Sequence, residues 1–314
     1  MIRAITCLYI ALIFLLMFLM AFMLPLDGYI DYVWYNTCLT QGRPEDSEPG
    51  FGLICNITSF FPDNVAVKIP RILSLFLLIL SVIIFSKNFD IFTGLFFLYI
   101  NGFQTLGAYR QGTATIFLSF ALLFVLKNKY KAYNFSNVFA FLFHYTSILP
   151  ILAVWFRKYI NFWIAIILCF GILLIELVLS SNYASLLIPE SVLYRYINLT
   201  NESLPGSSYF AFGKLWYIFY YSYFILISYN YFLVKDFNNY FSEIKKLYFA
   251  FLPIIIAVPT LTLLDSWAAT RVSSMTNAFE IVFFALCATN FQRMIMFLAY
   301  FVRTSIASLN FFVF

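Results

Sequence analysis

Charge is scarce in this chain. Asp, Glu, Lys and Arg make up 11% of its 314 residues, and no basic run is long enough to grip a nucleic acid. The five cysteines show no metal-ligand spacing, so they indicate no metal site. Cys7, Cys169 and Cys287 lie in apolar runs and read as packing residues. Cys38 and Cys55 share one polar stretch and can pair if it faces an oxidising compartment. Histidine occurs once, as His144. No internal repeat and no low-complexity tail is present.

What fills the chain instead is apolar. Hydrophobic residues are 63% of the total, more than a soluble domain carries. Apolar runs of about 18 or more residues read as membrane spans. At roughly 30 residues per span and loop, the length accommodates about nine to eleven spans. The expectation is an all-α, polytopic membrane protein with one integral-membrane domain, 1–314. The first run, ITCLYIALIFLLMFLMAFML, is too long for a signal peptide and lacks a small-residue cleavage site, so it reads as a retained span. Hydropathy places spans at 4–26, 69–86, 89–107, 112–127, 159–180, 213–234, 246–264, 275–291 and 294–312.

Lysine and arginine in short loops set the orientation. Lys87, Lys127, Lys129, Lys131, Arg157, Lys158, Lys235, Lys245, Lys246 and Arg293 belong on the cytoplasmic side. The acidic residues Asp27, Asp31, Glu45, Asp46, Glu48, Asp63, Glu190 and Glu202 cluster in the other loops. The outer loops are then 27–68, 181–212 and 265–274. This scheme holds only if SNVFAFLFHYTSILPILAVWF, within 134–156, does not cross the bilayer. Pro150 interrupts helical hydrogen bonding there, and His144, Thr146 and Ser147 supply polar groups. Broken backbone at membrane depth is tolerated when buried in protein or lining a wet cavity. The segment is therefore expected to be a re-entrant pair of half-helices, with a kinked single span as the alternative.

GAYRQGTA, 107–114, becomes the outer turn between the third and fourth spans. An ionisable residue at the membrane boundary is costly, which makes Arg110 a functional candidate. Its guanidinium is a planar fork of donors suited to phosphate. Gly107 and Gly112 allow close backbone approach. Gln111, Thr113 and Thr115 add hydrogen-bonding groups at a helix start, where free N–H groups favour anions. The competing reading is an arginine snorkelling to lipid phosphates.

In the first outer loop, Asp27, Asp31 and Glu48 offer carboxylates for a general base, while Glu45 and Asp46 read as solvated. His144 sits at the expected helix break and can take a proton near neutral pH. Arg195 and Arg271 add positive charge in outer loops, with interfacial anchoring as their alternative role. Glu176 and Glu280 fall within spans, where they must be protonated or paired. The Asn-x-Ser/Thr tripeptides in NIT, NLT and NES are expected by chance in so Asn-rich a chain.

Four blocks in order, DYVWYN at 31–36, EPGF at 48–51, YRQGTA at 109–114 and AFLFHYTSILPIL at 140–152, resemble the EpsG/Wzy-type bacterial polysaccharide polymerases. The match is concentrated in 27–152. Arg271 resembles a late arginine of that family less specifically. The resemblance implies a multi-pass enzyme of the bacterial cytoplasmic membrane, shaped like the multi-span glycosyltransferases and working on the outer face. Such enzymes join oligosaccharide repeat units carried on undecaprenyl pyrophosphate, making O-antigen, capsule or exopolysaccharide. They need neither nucleotide sugar nor metal, and a chain-length regulator is an implied partner.

The leaving diphosphate needs positive donors, for which Arg110 is first choice, then Arg271 and Arg195. The attacking hydroxyl needs a base, for which His144 is first choice, with Asp31 or Glu48 as alternatives. Gln111 is a further binding residue. Tyr32, Tyr35 and Tyr109 offer faces for sugars, ordinary interfacial tyrosines being the competing view. Two other functions fit less well. A transferase using a polyprenyl-monophosphate sugar would use Asp27 and Asp31 but carries a large outer domain. A flippase or other transporter of lipid-linked sugars has more spans and an internal repeat.

Overall fold

A computed structural model describes residue 15, residues 32–42, 47–179, 241–264, 266–285 and 291–298, and residue 300. All regular structure among the described residues is helical, as expected. The expected spans 4–26 and 213–234, the loop 181–212, and the candidates Asp31 and Arg195 lie outside them. Packing divides the chain into two compact units, Met1–Ile148 and Leu149–Phe314.

The first unit opens with a small helical cap. It consists of α1 (Tyr32–Gln41), α2 (Pro49–Thr58) and the single turn α3 (Asp63–Ala66). The loop expected at 27–68 is therefore largely helical. Gly42, at φ +94°, ends α1 in a conformation that side chains resist, with its N–H bonded to the Cys38 carbonyl. Cys38 and Cys55 form a disulfide across α1 and α2. The Thr58 hydroxyl donates to the Leu39 carbonyl at 2.9 Å. Tyr35, Cys38, Leu39, Phe51 and Cys55 make a buried core, which takes in Tyr109 of the helix bundle beneath. The cap is thus fastened to the bundle where that candidate tyrosine lies.

The bundle consists of α4 (Ile69–Asn88), α5 (Ile91–Gly107), α6 (Tyr109–Leu126) and α7 (Tyr130–Phe143). Asp90 caps α5, its Oδ1 accepting from the Thr93 N–H and hydroxyl. α6 is central and buried almost all round. Its hydroxyls avoid an unpaired state by bonding back to carbonyls one turn earlier: Thr115 to Gln111, Ser119 to Thr115. A β-carbon on Gly112 would overlap the Thr105 backbone, so this glycine is what lets α5 and α6 touch.

α6 closes in a Schellman motif. Asn128 takes φ 55°, its N–H bonds the Val125 carbonyl, and the Lys129 N–H reaches the Phe124 carbonyl. The tight turn sends α7 back antiparallel along α6. Two helical stretches, 63–88 and 109–126, are long and apolar enough to cross a bilayer, and 91–102, 145–156 and 162–175 are shorter apolar helices. These are the candidate spans among the described residues only.

The break in 134–156 is real but sits elsewhere than at the proline. α7 ends at Phe143, His144 is extended (φ −157°, ψ 117°), Tyr145–Ser147 form a 3₁₀ turn, and α8 runs Ile148–Phe156. Pro150 is the third residue of α8, where its missing N–H has no partner to lose. The break therefore falls on the one histidine.

The second unit contains α9 (Phe162–Leu179), α10 (Phe241–Leu264) and α11 (Ser266–Ala285). Asn161 caps α9 through the Ile164 N–H. α9 exposes Trp163, Ile167, Phe170 and Ile175, an apolar surface suited to lipid. Arg157 bonds Glu243 at 3.2 Å and the Val154 carbonyl at 2.7 Å, and Lys246 shares the same carboxylate. Residues 266–274, within the outer loop expected at 265–274, form the first half of α11. Its Ser and Thr residues suggest a loop, but 266–285 contains no Gly or Pro to stop a helix.

Gly50 fixes how the cap meets α7. A β-carbon there would stand 2.9 Å from the Leu142 carbonyl oxygen, a backbone atom that cannot swing aside. Gly50→Ala is expected to lower stability by about 1–3 kcal/mol, read as a reduced melting temperature of the purified protein. Gly171→Ala is the matched control, because its β-carbon would meet nothing within 4 Å.

Candidate functional site

Glu48, Arg110 and His144 come together in the first unit, across 62 and 96 residues of sequence. Each is placed by the end of an element. Glu48 is the residue before α2, whose first position is Pro49. Arg110 is the second residue of α6, and His144 is the extended residue after α7. Arg110 is thus not in a loop: only Ala108 separates α5 from α6. Its Nη1 donates to Glu48 Oε2 at 2.6 Å, and His144 Nδ1 lies 2.8 Å from Glu48 Oε1. One carboxylate therefore holds both leading candidates, one per oxygen.

Aromatic rings enclose this pair. The Arg110 guanidinium carbon lies 5.5 Å from the Tyr35 ring centre and 6.0 Å from that of Phe51. Tyr35 packs on Phe51 and Tyr109 at 5.3 and 5.2 Å between ring centres. The Tyr109 hydroxyl accepts from Arg71 Nε at 2.9 Å. Tyr35 and Tyr109 are buried and wall the site.

Burial by itself raises the Glu48 carboxyl. The His144 hydrogen bond and the Arg110 charge outweigh it and bring the group from its ordinary 4.5 to about 2. Glu48 is then ionised at neutral pH, and its oxygens only accept. His144 must donate through Nδ1, so in the neutral ring Nε2 is the lone-pair atom. That Nε2 is buried and has no hydrogen-bond partner among the described residues. A carboxyl held so low is a weak base, and its contact with Nδ1 is one that can orient the histidine.

The sign of the pH effect follows. A carboxyl lowered on folding contributes stability above its unfolded value and loses it as pH falls toward its folded value. Unfolding titrations are expected to show stability declining as pH drops from 4.5 to about 2. Glu48→Gln should remove that part of the slope.

Gln111 and Arg271 are the remaining candidates among the described residues. Gln111 follows Arg110 on α6, and its carbonyl is engaged by Thr115. Arg271 lies on α11 in the second unit, with its carbonyl accepting from Ser274. The glutamate expected to need a partner at 280 is buried in that helix. No group of three or more His, Cys, Asp or Glu suited to a metal occurs among the described residues. Arg71 is the residue that sequence reading missed. The available signal was an arginine directly after Pro70 at the start of an otherwise apolar helix.

A model of the EpsG family matches residues 6–314. This chain belongs to the EpsG family. EpsG proteins are membrane proteins of polysaccharide biosynthesis. The match runs well beyond the 27–152 blocks of the sequence resemblance and includes both packing units. No curated protein and no solved structure matches the chain. For this EpsG protein the Glu48, Arg110 and His144 geometry is therefore the guide to chemistry.

Proposed function

We propose that this protein is a polysaccharide polymerase of the bacterial cytoplasmic membrane, acting on the outer face. A growing glycan leaves undecaprenyl pyrophosphate and joins a hydroxyl at the non-reducing end of a new lipid-linked repeat unit. The observation that carries this reading is Glu48 binding Arg110 and His144 at 2.6 and 2.8 Å. The reaction needs a base for a sugar hydroxyl and a cation for a departing diphosphate, and those two groups stand side by side.

His144 Nε2 takes the proton as the acceptor oxygen attacks the anomeric carbon of the donor. The bond from that carbon to the phosphate oxygen breaks, and the diphosphate carries the electron pair away. Arg110 stabilises the charge that develops there. Arg110 is the member of the trio that an incoming anion meets first, its side chain 15% exposed against 6% and 7% for Glu48 and His144. Side chains around Nε2 must part to admit the acceptor.

The Cys38–Cys55 disulfide supports the outer placement, because disulfides persist in oxidising compartments. The basic residues at the opposite ends of the first-unit helices, Lys87 and Lys127 to Lys131, support it too. The same orientation makes 134–156 a re-entrant pair. Release and re-docking of long chains would suit a partner that regulates chain length.

Arg110→Lys tests the reading in cells, since a point charge cannot replace a planar fork that can bond Glu48 and a phosphate together. The expected result is chain extension reduced by about 10²–10³-fold, seen as a single short band of one repeat unit at normal protein level. A normal ladder removes Arg110 from the site. Absence of any repeat unit outside the cell indicates a flippase instead, and long chains stranded on the carrier indicate a ligase.

A further inference from the structure

Three helices begin at one place. α2 starts beside Glu48, α4 starts two residues before Arg71, and α6 starts at Tyr109. Glu48 bonds Arg110, and Arg71 bonds Tyr109, so the three N-termini are linked side chain to side chain. The N-termini of α2 and α6 carry partial positive charge from unsatisfied N–H groups, while α4 continues the helical turn at 63–66. His144 Nε2, buried and unpartnered, belongs to the same cluster.

Charge is the reason this matters. A diphosphate carries at least two negative charges, and Arg110 already shares its own with Glu48. One guanidinium balanced by a carboxylate is a poor counterion for such a group. Arg71 brings a second guanidinium to the same tyrosine pair: Arg71 to Tyr109 at 2.9 Å, Tyr109 to Tyr35 at 5.2 Å, and Tyr35 to Arg110 at 5.5 Å. Arg71 is only 6% exposed. A snorkelling arginine keeps its head in water or among lipid head groups, and this one does not. A buried arginine at the end of an apolar helix is costly, and a cost of that kind marks function.

We infer that Arg71 is the second cation of the diphosphate site, a positioning residue that acts through Tyr109 and through its charge, and that sets the preference for a diphosphate carrier over a monophosphate one. The inference rests on the polymerase reading above. Arg71 does not need to touch the substrate, because two charges in a dry interior interact more strongly than in water.

The test is binding by the purified protein in phosphatidylcholine nanodiscs, with undecaprenyl pyrophosphate and undecaprenyl monophosphate as separate probes and inorganic pyrophosphate as competitor. The wild type is expected to prefer the diphosphate lipid by about tenfold or more. Arg71→Gln is expected to bring the two lipids within about threefold, and Arg71→Lys to retain most of the preference. Inorganic pyrophosphate should compete in the wild type and lose potency in Arg71→Gln. Tyr109→Phe, which cuts the link while keeping the ring, should lower the preference by about three- to tenfold.

A purely structural Arg71 would leave the ratio of the two affinities unchanged while lowering the melting temperature. Full preference in Arg71→Gln, or in Tyr109→Phe if the glutamine variant does not fold, overturns the inference. A wild type that binds both lipids equally removes the polymerase reading, and the inference with it. Equal weakening of both probes when phosphatidylglycerol is added to the nanodiscs, with no change in their ratio in Arg71→Gln, assigns Arg71 to ordinary phospholipid phosphate and also overturns it.

Discussion

Glu48→Gln is expected to reduce polymerisation by about 10⁴-fold, the loss seen where an acid that orients a catalytic histidine is replaced by its amide. The physical reason is that glutamine has one accepting oxygen and one donating nitrogen. Glu48 accepts from Arg110 at one oxygen and meets His144 Nδ1 at the other. The amide can serve only one of them. If its oxygen faces Arg110, its NH₂ faces Nδ1 and moves the ring proton to Nε2, which can no longer accept one. If its oxygen faces Nδ1, its NH₂ faces the guanidinium, donor against donor, and in either orientation Arg110 loses its counter-charge. Turnover of purified protein on lipid-linked repeat units measures this. Activity within tenfold of the parent, with the Cys38–Cys55 bridge formed, would show that the carboxylate does not orient the histidine.

His144→Gln comes second in size. Removing a general base costs about 10²–10⁴-fold in rate. Glu48 and Arg110 remain paired in this variant, so affinity for the diphosphate carrier should stay within about threefold of the parent. The loss should therefore fall on kcat and spare KM. A parental rate would leave the base to some other group. A raised KM with unchanged kcat would make His144 a binding residue only.

Much of the site could be read in the chain because charge is so rare there. Arg110, His144 and Glu48 each stood out as a polar residue beside a helix start, a helix break or a Pro-Gly turn. That Arg110 and His144 share the Glu48 carboxylate was not readable: it depends on Gly50 meeting the Leu142 backbone, a contact between segments far apart in sequence. Nor was the division of labour, since a carboxylate reads equally well as a base or as an orienter until its partners are known. Arg71 was hidden by its setting, because a cation just inside an apolar helix usually reaches back to the lipid head groups.

The helices followed hydropathy closely, and α6 and α9 fall within a few residues of the expected spans. The errors arose where local polarity was mistaken for irregular backbone. Polar residues at 266–274 continue a helix, and Pro150 lies harmlessly in a first turn while His144 takes the break.

The most direct test of the central claim is chain extension by the purified protein, supplied only with undecaprenyl-pyrophosphate-linked repeat units and no nucleotide sugar. The account predicts a ladder of polymer whose growth releases one undecaprenyl pyrophosphate per unit added and fails with Glu48→Gln. Growth that requires a nucleotide sugar or a polyprenyl-monophosphate sugar, or no growth from an intact and folded protein, would contradict it.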